Sequence, residues 1–131
     1  MQEYKRGGLT VWDCKYHLVS ATKYCYQVLG GEIGRRCREL LRQIAMSKGM
    51  IFYAGSVNRD HVHMLIGIPP QLSVSQAVQY LRGKSSHRLL SKYKALRKRY
   101  WGQYLWARGC WEASNGNVTD EVWKAYIKNQ P

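Results

Sequence analysis

The run Asp60-His61-Val62-His63-Met64-Leu65-Ile66 constrains this chain most. Its apolar residues Val62, Met64, Ile66 and Ile68 fall on alternate positions, the period of a β-strand, which sends His61 and His63 to the opposite face. Two imidazoles projecting side by side from a rigid strand form a metal-ligand geometry, since histidine is the commonest protein ligand for divalent cations. At the far end of the chain Tyr126 and Gln130 lie four residues apart on an expected helix and share one face. They offer a nucleophile and a further donor group.

The other elements follow from the same periodicities. Thr10, Trp12, Cys14, Tyr16 and Leu18 alternate with Val11, Asp13, Lys15, His17 and Val19 and predict a half-buried first strand. After Gly30-Gly31, Ile33, Cys37, Leu40, Leu41 and Ile44 recur at helical spacing and predict an amphipathic helix that stops near Lys48-Gly49. Strands over 50–57 and 61–68 flank the turn residues Asn58-Arg59-Asp60, an antiparallel hairpin. Pro69-Pro70 ends the second of these, and Ser73 can cap a long helix with the stripe Val74, Val78, Leu81, Leu89, Tyr93 and Leu96, open to interruption at Gly83. Tyr104 to Glu112 reads as a fourth strand, with Trp106, Arg108 and Cys110 on one face. Ser114-Asn115-Gly116-Asn117 has the composition of a flexible linker. Thr119, followed by Asp120-Glu121, caps a short final helix that is marginal by itself and must dock on its own sheet or on another subunit.

The predicted order is therefore β-α-β-β-α-β plus a C-terminal helix, an α+β ferredoxin-like arrangement with both helices on one sheet face. A single domain over 1–131 is expected, with a hinge at 113–117 and the last helix at 118–130. The apolar face of the histidine strand should meet the helices, leaving the histidine face to a ligand, as in single-stranded RNA-binding modules of similar topology.

Charge narrows the partner. Lys and Arg total 21 against 8 Asp and Glu, a formal net charge of +13, so polyanions, nucleic acid foremost, are the expected partners. The basic residues crowd into Arg82, Lys84, Arg88, Lys92, Lys94, Arg97, Lys98 and Arg99, directly before Tyr100-Trp101. A run this dense ending in aromatic rings predicts a surface for the nucleic-acid backbone. With 10 Tyr and 5 Trp against 1 Phe, most aromatic rings carry a polar handle and suit stacking on unpaired bases. The four cysteines, Cys14, Cys25, Cys37 and Cys110, form no C-x-x-C pair, which argues against a zinc site or a disulfide framework and for reduced thiols. No apolar block of signal-peptide type opens the chain, and no stretch approaches the ~18 apolar residues of a membrane span. A cytoplasmic location is expected.

Asp60-His61-Val62-His63-Met64-Leu65, Gly83-Lys84-Ser85-Ser86, Trp106-Ala107-Arg108-Gly109, and Gly116 to Glu121 with Tyr126-Ile127-Lys128-Asn129-Gln130 together resemble the single-tyrosine HUH transposases of the insertion-sequence 200/605 type. His17-Leu18-Val19 with Thr22-Lys23-Tyr24 fits as well. The resemblance covers essentially the whole chain, and its specificity comes from the histidine pair followed, in order, by Tyr-x-x-x-Gln. Arg59 stands where a proline is usual, and Cys110 where an aromatic residue is usual.

The resemblance implies that Tyr126 attacks a phosphodiester of single-stranded DNA and forms a 5′-phosphotyrosine. It assigns His61, His63 and Gln130 to one Mg²⁺ or Mn²⁺ ion that polarises and orients the scissile phosphate. It also implies a homodimer in which one subunit's tyrosine can serve its partner's histidines, and a substrate formed by hairpin-bearing element ends. Because a free phenol has a pKa near 10, Tyr126 needs help to ionise; Lys15, His17 and Asp60 are the conceivable assistants. The expected hairpin-binding residues are Arg82, Lys84, Arg88, Lys92, Arg97, Lys98 and Arg99. A domesticated relative of the transposases associated with repetitive extragenic palindromes, or a non-catalytic hairpin-binding module, would share these residues.

Overall fold

The computed structural model of the protein describes residues 5–6, 8–9, 15–107 and 112–115. Among the described residues, strands β1 (Lys5–Arg6) and β2 (Gly8–Leu9) pair with each other as a separate two-stranded sheet. The main elements are β3 (Lys15–Ala21), α1 (Gly31–Ser47), β4 (Ile51–Val57), β5 (His61–Gly67), α2 (Val74–Lys92), α3 (Lys94–Arg99) and β6 (Glu112–Asn115). β3 to β6 form one antiparallel sheet in the order β4-β5-β3-β6. α1 thus connects two strands that are not neighbours, because β5 inserts between β3 and β4. This is the α+β arrangement expected from the element order.

Helix α1 begins and ends where its glycines allow. Gly34 packs so tightly under the preceding loop that a Cβ there would lie 2.2 Å from the Leu29 carbonyl oxygen. Gly49, at φ +76, takes the left-handed turn that stops the helix, and Met50 N–H bonds back to Ala45 O at 2.9 Å. The apolar stripe Cys37, Leu40, Leu41 and Ile44 is buried. It meets Leu18 of β3 and Val62, Met64 and Ile66 of β5, together with Ala77, Leu81 and Leu89 of α2, in one core. Both long helices therefore cover the face that carries Val62 and Met64. His61, His63 and Leu65 take the other face, as the strand period predicts.

Helix α2 departs from expectation in where it breaks. Ser73 caps it with a reciprocal box, Ser73 and Gln76 each bonding the other's backbone N–H at 3.0 Å. The helix runs through Gly83 without interruption, since a helical glycine costs only about 1 kcal/mol and Leu81 and Leu89 on either side are fully buried. The break comes at Tyr93, whose extended backbone (φ −111, ψ 108) starts α3 and lets Leu96 reach the core. Arg97 turns back and donates to the Leu90 and Ser91 carbonyls at 3.0 and 3.1 Å, which gives donors to two acceptors in the last turn of α2.

The fourth strand also lies later in the chain than the periodicity suggests. Leu105 and Trp106 form no continuous strand: Trp106 makes an isolated bridge with Thr22, and the two are held by α2. Leu105 N–H donates to Ser86 Oγ at 3.0 Å and Trp106 Nε1–H to Ser85 Oγ at 2.9 Å. The ladder with β3 instead begins at Glu112, paired with Val19, and ends at Asn115, paired with Tyr16. Residues 113–115, expected as part of a hinge, are therefore strand, because backbone pairing along β3 outweighs the turn preference of Ser114 and Asn115. Arg108, Cys110, the rest of the hinge and the final helix lie outside the described residues.

Candidate active site

His61 opens β5 at its junction with the 58–60 turn, and His63 follows on the same face, two positions further along the strand. Their ring centroids are 4.8 Å apart, with the ring planes at 75°. Two contacts define the state of His61. Its Nδ1 lies 2.7 Å from Asp60 Oδ1, and its Nε2 lies 2.6 Å from the Asn58 amide nitrogen. A carboxylate oxygen accepts and an amide nitrogen donates, so these two contacts suit the tautomer with its proton on Nδ1 and its lone pair on Nε2. His63 is 9 % exposed, and burial first, then the neighbouring His61, hold its pKa below the ordinary value. A neutral, ligating imidazole is thereby favoured.

These residues suit a divalent cation. A histidine ligand typically donates its second ring nitrogen to a carboxylate that fixes tautomer and orientation, which is the contact Asp60 makes. Among the described residues no group of three or more His, Cys, Asp or Glu side chains forms a metal cluster, so the ligand set would need amide oxygens, water or substrate oxygens. Tyr126 and Gln130 lie outside the described residues.

The histidine face is not bare. Leu65 is fully buried and His17 is 7 % exposed there, whereas the side chains of Asp60 and His61 remain about a third open at the turn. Access is thus concentrated at that end of the sheet. Of the residues considered as assistants, Asp60 touches His61 directly. His17 pairs with Leu65, one step along the face from Val19, the partner of His63. Lys15 pairs with Gly67 at the opposite end of β3, with its Nζ over the Tyr53 ring at 4.9 Å.

The turn is tied to a basic and aromatic surround. Thr22 N–H donates to the Asp60 carbonyl and Leu29 N–H to the Arg59 carbonyl, both at 2.8 Å. A cavity of about 310 Å³ opens beside Asn58, lined by Arg35, Arg38 and Arg59 with Gly30 and Gly31. On the other side, Tyr24 and Tyr26 are 5.4 Å apart, Tyr26 and Tyr100 are 5.5 Å apart, and the Arg99 guanidinium lies 3.9 Å from the Tyr26 ring centre. Tyr24 and Cys25 both adopt left-handed backbone angles (φ 62 and 55), unusual for side-chain-bearing residues and frequent at working sites. Sequence periodicity does not reveal this surround, although the closely spaced Arg35, Arg36 and Arg38 are a visible signal.

The expected DNA-binding residues fall on the outer sides of α2 and α3. Lys84, Arg88, Lys92, Lys98 and Arg99 are exposed, while Arg82 is half-buried and stacks toward Tyr104 at 5.9 Å. Arg97 is exposed but engaged in closing α2. The Tyr100-Trp101 pair divides: Tyr100 belongs to the core, and Trp101 is 88 % exposed. No helix among the described residues is long and apolar enough to cross a membrane.

Residues 10–130 match the family of IS200-like transposases. The transposase for insertion sequence element IS200 of Salmonella typhimurium (strain LT2) is 38 % identical over 130 residues, covering 99 % of this chain and 85 % of the relative. The ISDra2 transposase TnpA of Deinococcus radiodurans is 34 % identical over 129 residues, 98 % of this chain and 91 % of that one. A crystal structure of a Deinococcus radiodurans transposase superposes with a TM-score of 0.75 at 34 % identity, covering 96 % of this chain and 97 % of the other. A tyrosine transposase associated with REP sequences, solved bound to a REP hairpin, shares the fold with a TM-score of 0.60 at 13 % identity, over 97 % of this chain and 68 % of that one. With its match to the family spanning nearly its full length, the chain belongs to the IS200-like transposases.

Proposed function

We propose that this transposase cuts and rejoins single-stranded DNA at hairpin-bearing element ends, with Tyr126 as the nucleophile. The phenol oxygen of Tyr126 forms a bond to the scissile phosphorus as the bond from phosphorus to the 3′ oxygen breaks. The phenol proton leaves to solvent, and the released 3′ oxygen takes up a proton. The product is a 5′-phosphotyrosine and a free 3′ hydroxyl; reversal with a different 3′ hydroxyl joins a new pair of strands without an external energy source.

His61, His63 and Gln130 would hold one Mg²⁺ or Mn²⁺ ion. When bound, such an ion neutralises charge on the scissile phosphate and orients it for in-line attack. The chain's own contributions are separate from that. Asp60 holds His61 in the tautomer whose Nε2 can ligate, burial keeps His63 neutral, and Arg35, Arg38 and Arg59 line a cavity suited to the phosphates flanking the cut. The observation that carries the proposal is the side-by-side placement of His61 and His63 with Asp60 on Nδ1. Lys84, Arg88, Lys92, Lys98 and Arg99 are assigned to the hairpin backbone, with exposed Trp101 available to an unpaired base.

Labelled single-stranded element ends incubated with the protein and Mg²⁺, then run on a denaturing gel, test the chemistry. A covalent protein–DNA band is expected for the wild type and none for Tyr126→Phe, which should still bind the DNA. Adduct formation by Tyr126→Phe would overturn the assignment. We further propose a homodimer whose sites are shared, as the family resemblance implies. Mixing Tyr126→Phe and His61→Ala subunits should then restore cleavage, and failure to do so would place each site within one subunit.

A further inference from the structure

Trp101 stands where a glycine is the rule. Helix α3 ends in a Schellman turn, in which the Gly102 N–H returns to the Arg97 carbonyl at 2.8 Å and the Trp101 N–H to the Lys98 carbonyl at 3.3 Å. The residue after the cap of such a turn is left-handed, and Trp101 accordingly has φ +56. A side chain works against that backbone conformation, which is why glycine dominates the position. The chain nonetheless places a tryptophan there and leaves it 88 % exposed.

The exposed ring rises from a fixed base. On one side of its loop Tyr100 is buried in the core; on the other, Leu105 and Trp106 are buried and tied to Ser86 and Ser85 of α2 at 3.0 and 2.9 Å. Residues 101–104 between these anchors are all exposed. Their surround is cationic: Arg97, Lys98 and Arg99 form the last turn of α3, and the Arg82 guanidinium lies 5.9 Å from the ring centre of Tyr104, itself half exposed. An apolar protein partner would strip water from these charges at a cost, whereas a nucleobase brings phosphates to meet them. Within a paired stem the base faces cover one another, so a protruding indole finds a free face on an unpaired base.

We propose that Trp101 is a specificity-determining residue: an anchored stacking platform for one unpaired base, by which the protein distinguishes a strand with unpaired bases from a fully paired duplex. The inference deepens the hairpin-binding reading and rests on it. The neighbouring cations attract any phosphate backbone, paired or not, while the indole responds to base exposure.

Fluorescence anisotropy, without added divalent cation, compares binding of a labelled hairpin element end that keeps its single-stranded flank with binding of the blunt duplex of the same stem. Trp101→Gly should weaken binding of the flanked hairpin about tenfold, the scale of one stacked base, and change duplex binding by less than about twofold. Trp101→Phe keeps an aromatic face and should retain most of the affinity. Because glycine suits the left-handed backbone, Trp101→Gly should unfold at an equal or higher urea midpoint, which separates lost affinity from lost folding. The slope of log affinity against log salt should stay at its wild-type value, since no charge is removed. If Trp101→Gly binds the flanked hairpin as tightly as the wild type, or loses affinity equally for both DNAs, the inference fails while the hairpin reading stands. If the wild type binds neither DNA, the hairpin reading fails, and this inference with it.

Discussion

Trp106 donates its indole N–H to Ser85 Oγ at 2.9 Å, with both side chains buried. Ser85 in turn donates to the Leu81 carbonyl, and Ser86 beside it accepts the Leu105 N–H. Two small hydroxyls on the inner side of α2 thereby fasten the segment that runs alongside the end of β3.

Replacing Ser85 by Ala should leave a buried indole N–H without its acceptor and cost about 1–3 kcal/mol in denaturant unfolding. In a Trp106→Phe background the same replacement should cost much less. An equal penalty in both backgrounds would show that the hydrogen bond is not the cause.

Asp60→Ala should weaken divalent-cation binding about 10- to 100-fold, because His61 loses the carboxylate that selects its tautomer. Calorimetric titration with Mn²⁺ checks this. Unchanged affinity would reduce Asp60 to a turn residue.

The depressed pKa of His63 sets a pH dependence with a definite sign. A group that binds its proton less readily when folded contributes stability that is fully present above its unfolded pKa of about 6.5. That stability is lost as the pH falls from there through the folded value. Urea midpoints of the metal-free protein should drop between neutral pH and pH 5, and His63→Gln should flatten the drop. A wild-type drop unaffected by the substitution would assign it to other groups.

Lys84, Arg88 and Lys92 share the exposed side of α2. If they meet hairpin phosphates, the triple substitution to Glu should weaken binding and reduce the slope of log affinity against log salt by about 0.9 for each phosphate that is no longer neutralised. A mutant with the wild-type slope would move the interface elsewhere on the protein.

Cys25 is exposed and Cys37 is buried in the core, its thiol pushed up to about 12 by desolvation. Iodoacetamide at pH 8 should label the Cys25 peptide and spare the Cys37 peptide until urea unfolds the chain, because thiolate is the reactive form. Peptide mass mapping reads both sites, and early labelling of Cys37 would contradict its burial.

Where neighbours in sequence carry the information, the chain can be read directly. The hairpin of β4 and β5, the stop of α1 at Gly49 and the capping box at Ser73 each depend on residues a few positions apart. Other features depend on distant partners. Gly83 reads locally as the weak point of α2, yet the break falls at Tyr93, where Leu96 gains a place in the core. Ser114 and Asn115 read as linker until β3 offers them a pairing edge. Asn58 and Asp60 read as turn formers, and only the closed hairpin brings both to the two nitrogens of one ring.

By itself, the order of residues determined that His61 and His63 leave one side of a strand and Val62 and Met64 the other, because alternation is a property of the extended backbone. Folding decided which atoms surround them. The partners of the His61 ring nitrogens and the seating of Trp106 against α2 come from contacts that span a turn or join separate elements, and no periodicity in the chain records such distances.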